Sequence, residues 1–152
     1  MSRAEQAKEN FLKGYACSQA VALAFADVTG TDEELLSKIM LPFGGGLGRL
    51  RLTCGAVSGM AAVVGLVFSE AENSPENKKQ TYAIVQELCE KFKSEYGSLI
   101  CGELLNGMRV PVQVGGEAEA RTPEYYKKRS CADMVAFVAQ ILEEYLREKG
   151  VL

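Results

Sequence analysis

The stretch from Thr53 to Ser69, TCGAVSGMAAVVGLVFS, lies within the longest run in the chain without a charged side chain. It is short for a segment that spans a bilayer, and Gly55, Ser58, Gly59 and Gly65 interrupt its apolar surface. A helix that is apolar nearly all round needs cover on most of its sides. The rest of the chain must therefore supply that cover. This points to a buried central helix inside a soluble bundle, with Thr53 placed to cap it.

The flanking segments read as the helices that do the covering. Ser2-Arg3-Ala4-Glu5 fits a capping box, followed by Ala4, Ala7 and Phe11 on one face and a stop at Gly14. CSQAVALAFADV (17–28) places Val21, Phe25 and Val28 at helical spacing. Thr31-Asp32-Glu33-Glu34 opens a helix carrying Leu35, Leu36, Ile39 and Met40 as its stripe. Ser74-Pro75-Glu76 starts another, with Val85, Leu88, Cys89, Phe92 and Tyr96 inward and an end at Gly97. Ser98 is expected to cap LICGELL, Thr122-Pro123 a short turn, and Ser130 with Asp133 a last helix. That helix turns Met134, Val135, Val138, Ile141, Leu142 and Tyr145 inward. PFGGGLGRLR and a loop insertion at about 108–121 break the regularity. The expectation is an all-α, single-domain multi-helix bundle over residues 1–152, built around the apolar central helix.

Composition removes several function classes. A net charge of -3 and the lack of a basic stripe speak against nucleic-acid binding. The one basic cluster, YYKKR (125–129), reads as solvated surface. The charged, amphipathic N-terminus has no secretory apolar region, so no membrane insertion and a cytoplasmic location are expected. The absence of histidine excludes Ser-His-Asp and Cys-His nucleophile pairs and every histidine-ligated metal. FGGGLGR lacks the Gly-Lys-Ser/Thr ending of a phosphate loop and follows no strand, so close packing near Cys54 accounts for it better. Gly55 and Gly59 leave one face of the central helix bare, open to another helix or to a cluster. An apolar helix with a flexible loop also leaves homo-oligomer formation open.

Attention then falls on the five cysteines. In a reducing compartment they serve as ligands, redox groups or inert core residues rather than structural disulfides. Cys17, Cys54, Cys101 and Cys131 fall in the first turns of four separate helices, while Cys89 sits mid-helix on an apolar stripe. Unpaired N–H groups and the helix dipole favour anionic sulfur in a first turn. Arg49 and Arg51, just upstream of Cys54, would add to that effect. Spacing alone leaves both an inert and a chemical reading open, because the intervals are long and unlike close CxxC pairs. Glu103 and Asp133, two residues past Cys101 and Cys131, are candidate acids, bases or extra ligands. As first-turn acids they also simply suit the helix dipole.

The same residues carry a resemblance. Cys17 in CSQAVALAF, the FGGGLGR segment, Cys54-Gly55-Ala56-Val57-Ser58-Gly59, Cys101 in YGSLICGELL and Cys131 in SCADMVAFVAQIL resemble the redox-active family named for the pattern C…GCAxxG…C…C. The order at the central motif is Cys-Gly-Ala rather than Gly-Cys-Ala. The resemblance spans about residues 8 to 146. It implies a redox role, with Cys17, Cys54, Cys101 and Cys131 as the set and Cys89 outside it.

Three readings follow. The leading one is a four-thiolate site at helix N-termini that binds an iron–sulfur cluster or another soft metal, zinc included, since four separated sulfurs without histidine suit all-thiolate ligation. The second is metal-free thiol–disulfide exchange with a redox partner that the sequence does not identify, the same four cysteines being the redox thiols. The third is a non-catalytic helical binding protein with core cysteines. Whether the chain is an enzyme is left open.

Overall fold

The computed structural model describes every residue from Met1 to Leu152. The chain is all-α: nine α-helices, one 3-10 turn and no strands, packed as one domain. In order they are α1 (Arg3–Leu12), α2 (Cys17–Leu23), α3 (Ala26–Thr29), α4 (Glu33–Met40), the 3-10 turn (Leu41–Phe43), α5 (Gly55–Phe68), α6 (Pro75–Tyr96), α7 (Cys101–Gly107), α8 (Pro123–Lys128) and α9 (Cys131–Glu148). No helix is long and apolar enough to cross a membrane.

The core forms where α1, α2, α5 and α9 meet, with α6 packed on α5 and α9. Phe11, Phe25, Met60, Leu88, Phe92, Leu142 and Leu146 are fully enclosed there. Each such side chain contributes about 1.5–3 kcal/mol by leaving water. Gly55 and Gly59 bring α2 and α5 into contact. A Cβ on Gly59 would lie 2.6 Å from the Ser18 carbonyl oxygen, and one on Gly55 would lie 3.2 Å from Cys17 Cβ. The bare face of α5 is therefore taken by a helix.

Several helix starts follow from local chemistry. The Ser2 capping box is complete, with Ser2 Oγ accepting from the Glu5 N–H and Glu5 accepting from the Ser2 N–H. Ser74 caps α6, Thr122 caps α8, and Gly97 ends α6 at φ +84°.

Other expectations need correction. The helix expected over 17–28 breaks at Phe25. The Arg3 guanidinium there takes the Ala24 carbonyl at 2.8 Å and pairs with Asp27, supplying an acceptor's partner that the helix would have supplied. Asp32, not Thr31, caps α4 by accepting from the Leu35 N–H. Of the α4 stripe only Leu36 and Met40 are buried; Leu35 and Ile39 face solvent. Thr53 does not cap α5, because it forms an antiparallel bridge with Ile100 and Cys54 becomes the cap residue. Ile100, not Ser98, is the cap position of α7, and Ser130 precedes α9 without a side-chain cap bond.

Candidate functional site

The bridge that displaces Thr53 from its capping role also sets out two of the cysteines. The Cys54 N–H donates to Leu99 at 2.8 Å, the Cys101 N–H to Leu52 at 2.6 Å and the Gly102 N–H to Arg51 at 3.0 Å. Segments 51–54 and 99–102 are thereby clamped side by side, each leading straight into a helix. Cys17 opens α2 and Cys131 opens α9, and both helices pack on the same core. All four of these cysteines line one cavity of about 300 Å³. Cys89, on α6, does not line it.

Their chemistry divides sharply. Burial pushes the Cys54 thiol up to about 12, even though the Val57 and Ala56 N–H groups pull the other way. Burial likewise raises Cys101, opposed by Arg51, whose Nη1 lies 3.8 Å from the sulfur. Cys17 and Cys131 shift each other in opposite directions. Cys17 is pushed well above the ordinary thiol value by donating to Cys131 and by burial. Cys131 is held below it, first by that hydrogen bond and then by Arg129, Arg121 and Arg51. The first-turn argument expected all four sulfurs to favour the anion. Desolvation outweighs the backbone N–H groups at Cys54 and outweighs Arg51 at Cys101, and Cys17 is raised first by its bond with Cys131. Only Cys131, beside that thiol and three guanidinium groups, goes the other way.

The cavity wall is unusually cationic. Arg49, Arg51, Arg121 and Arg129 all reach it, with Glu119 the single carboxylate. Glu119 accepts from Arg49 at 3.1 Å and from Arg129 at 3.0 Å, with Arg51 4.0 Å away. Arg129 lies over the Tyr125 ring, 4.2 Å from its centroid, and Arg121 bonds the Phe11 and Tyr15 carbonyls at 3.0 and 3.1 Å. YYKKR is therefore not simply a solvated cluster: Lys127 and Lys128 are exposed, whereas Arg129 is buried and turned into the cavity.

The backbone that presents two of these arginines is strained. Residues from Gly45 to Arg49 all have left-handed φ, Leu47 at +68° and Arg49 at +65°, and Arg51 follows at +63°. Each left-handed residue with a side chain costs on the order of 1 kcal/mol or more. Gly46 sits at the tightest point: with φ +70°, its added Cβ would come within 2.6 Å of Cys101 Cβ. The glycines serve close approach to the cysteines, and no strand precedes them.

Of the acids singled out by sequence position, neither lines the cavity. Glu103 accepts from the Ser98 hydroxyl, and Asp133 pairs with Lys8 at 3.0 Å; both are exposed. Glu119, Arg121, Arg129 and Tyr125 are the residues that sequence reasoning missed. The only local signal was Arg129 standing two residues before Cys131. No three cysteine, aspartate or glutamate side chains are arranged so that they could hold a metal ion. The sulfurs as they stand do not fit a metal centre.

Among known families, the model described as "Putative redox-active protein (C_GCAxxG_C_C)" matches residues 15–145. No curated protein and no solved structure matches the chain.

Proposed function

The chain belongs to the C_GCAxxG_C_C family of redox-active proteins, and from that premise we propose that it performs thiol–disulfide exchange through Cys131 and Cys17. The observation that carries this reading is the placement of Cys17 and Cys131, at the starts of α2 and α9, on one cavity wall with Arg121 and Arg129, where Cys131 is lowered and Cys17 raised. The Cys131 thiolate attacks one sulfur of a substrate disulfide. That S–S bond breaks, the departing sulfur takes the Cys17 proton, and a mixed disulfide is left on Cys131. The Cys17 thiolate then attacks the Cys131 sulfur, closes the Cys17–Cys131 bond and expels the second substrate sulfur, which is protonated by water. The substrate gains two electrons and two protons; the cysteine pair loses two electrons.

Exchange rates with a small uncharged disulfide, followed from pH 5 to 9, test it. A thiol whose value is lowered stays reactive at neutral pH and loses reactivity as the pH falls through that lowered value. The wild-type midpoint is therefore expected below that of a free cysteine. Cys131→Ser should remove the fast phase, slowing the reaction by about 100-fold or more. Cys17→Ala should move the midpoint back up. An unchanged fast phase in Cys131→Ser would end this reading.

The gathering of four cysteines on one cavity favours a second reading, an iron–sulfur cluster or zinc ion held by all four thiolates. It requires the sulfurs to draw closer than they stand here. Anaerobic purification with metal and sulfide analysis separates the two: metal-free protein that still exchanges disulfides supports the first, and stoichiometric metal lost on replacing any one of the four cysteines supports the second.

A further inference from the structure

Nothing in the exchange step accounts for Arg49. Its side chain is 13% exposed, and those of Arg51 and Arg129 are 11% and 6%, yet one carboxylate answers all three. Guanidinium groups withdrawn this far from water need anionic partners. Arg129, Arg121 and Arg51 act on the Cys131 thiol, whereas Arg49 otherwise donates only to neutral acceptors, the Gly115 carbonyl and the Gln113 side chain. The left-handed φ at Arg49 and Arg51 adds to the cost of aiming these two side chains here.

Glu119 is a weakly anchored counterpart. It lies in the segment between α7 and α8, which has neither helix nor strand, and its own peptide groups make no backbone hydrogen bond. Its side chain is 35% exposed, and its only ties are to the arginines. A carboxylate so held is displaceable by another anion of better geometry, since a bidentate fork binds carboxylate and phosphate alike.

We infer that Arg49, Arg51 and Arg129 form a receptor for an acidic group, carboxylate or phosphate, on the redox substrate, and that Glu119 occupies that receptor until the substrate arrives. This rests on the exchange reading and names its substrate class: a small disulfide or thiol with an acidic group, sized for a cavity of about 300 Å³. The acidic group would seat against the arginines while the sulfur meets Cys131 in the same cavity.

The test compares three disulfides: an aromatic one bearing carboxylates, its uncharged dipyridyl counterpart, and the cationic cystamine. Each rate is divided by that of a free small thiol with the same disulfide, which removes intrinsic reactivity. The corrected anionic-to-uncharged ratio is expected at about 10 to 100, with cystamine slowest, and should shrink as salt is added. Arg49→Gln should lower the ratio about tenfold and Glu119→Gln should raise it, with circular dichroism reporting whether each variant folds. The salt series on the unaltered protein decides the matter even if a variant does not fold. Inorganic phosphate and benzoate, added as competitors, tell which acidic group is preferred. A corrected ratio near one, with Cys131 still fast, overturns the receptor and leaves the exchange reading intact. Cys131 reacting no faster than a free thiol with all three disulfides overturns the exchange reading itself.

Discussion

Helix α9 runs between two regions built on opposite terms. At its start, Cys131 faces a cavity with buried guanidinium groups, three other thiols and a left-handed chain segment. Two turns on, Phe137 enters an aromatic seam with Phe92 and Tyr96, ring centroids 6.4 and 5.4 Å away, in which α6 meets α9. The seam holds no residue with positive φ and no ion pair within it. Cys89 lies beside it, and burial raises its thiol as it does those of Cys54 and Cys101. Cysteine type and burial are thus shared by both regions. What differs is the neighbours: a hydrogen-bonding thiol and cationic side chains at one end, hydrocarbon at the other. Buried hydrocarbon is concentrated in the seam and the core below it, and left-handed backbone is concentrated where the four cysteines line the cavity.

That separation can be broken or sharpened by substitution. Phe92→Ala should cost the fold about 3–5 kcal/mol in urea unfolding, because a fully buried ring leaves a cavity. The variant, while folded, should keep the fast Cys131 reaction; loss of that reaction would mean the regions are coupled. Gly46→Ala should cost roughly 1–3 kcal/mol, through a left-handed φ and a Cβ that meets Cys101 and the Leu52 nitrogen. Unlike Phe92→Ala, it should also change the reactivity of Cys101.

Alkaline pH offers a third probe. Cys54 rises from 9.0 to about 12 on folding, so between those values the unfolded chain holds fewer protons than the folded one. Stability therefore declines as pH climbs above 9, by on the order of 1 kcal/mol per pH unit from this group. Cys54→Ala should flatten that slope in urea titrations at successive pH values. Smallest, and opposite in sign, is Gly65→Ala on α5. Its Cβ meets nothing within 4 Å, so helix propensity alone should add about 0.5–1 kcal/mol of stability. A destabilised Gly65→Ala would show that the body of α5 is as tightly constrained as the cavity wall.

Much of the fold was legible because apolar periodicity is a local signal. The inward residues of α9, from Met134 to Tyr145, could be read directly, and so could the starts at Ser2, Ser74 and Thr122. Cap positions went astray where a tertiary contact competed, as when the bridge to Ile100 took Thr53 and left Cys54 to begin α5. The break at Phe25 was hidden for the same reason, since it depends on Arg3 from another helix. At the candidate site, the first-turn positions of Cys17, Cys101 and Cys131 were visible in the sequence. Which way each thiol shifts was not, because that depends on desolvation and on partners distant in the chain. Arg121, Arg129 and Glu119 were invisible on the same ground: a loop and a short basic run carry no period that says where they point.

The central claim is tested most directly by oxidising the reduced protein with one equivalent of a small disulfide, trapping free thiols with an alkylating reagent and mapping the peptides by mass. The account predicts loss of two thiols as a single Cys17–Cys131 crosslink, with Cys54, Cys89 and Cys101 alkylated. Cross-linked pairs that leave out Cys131, or a Cys89 consumed before it, would contradict the account.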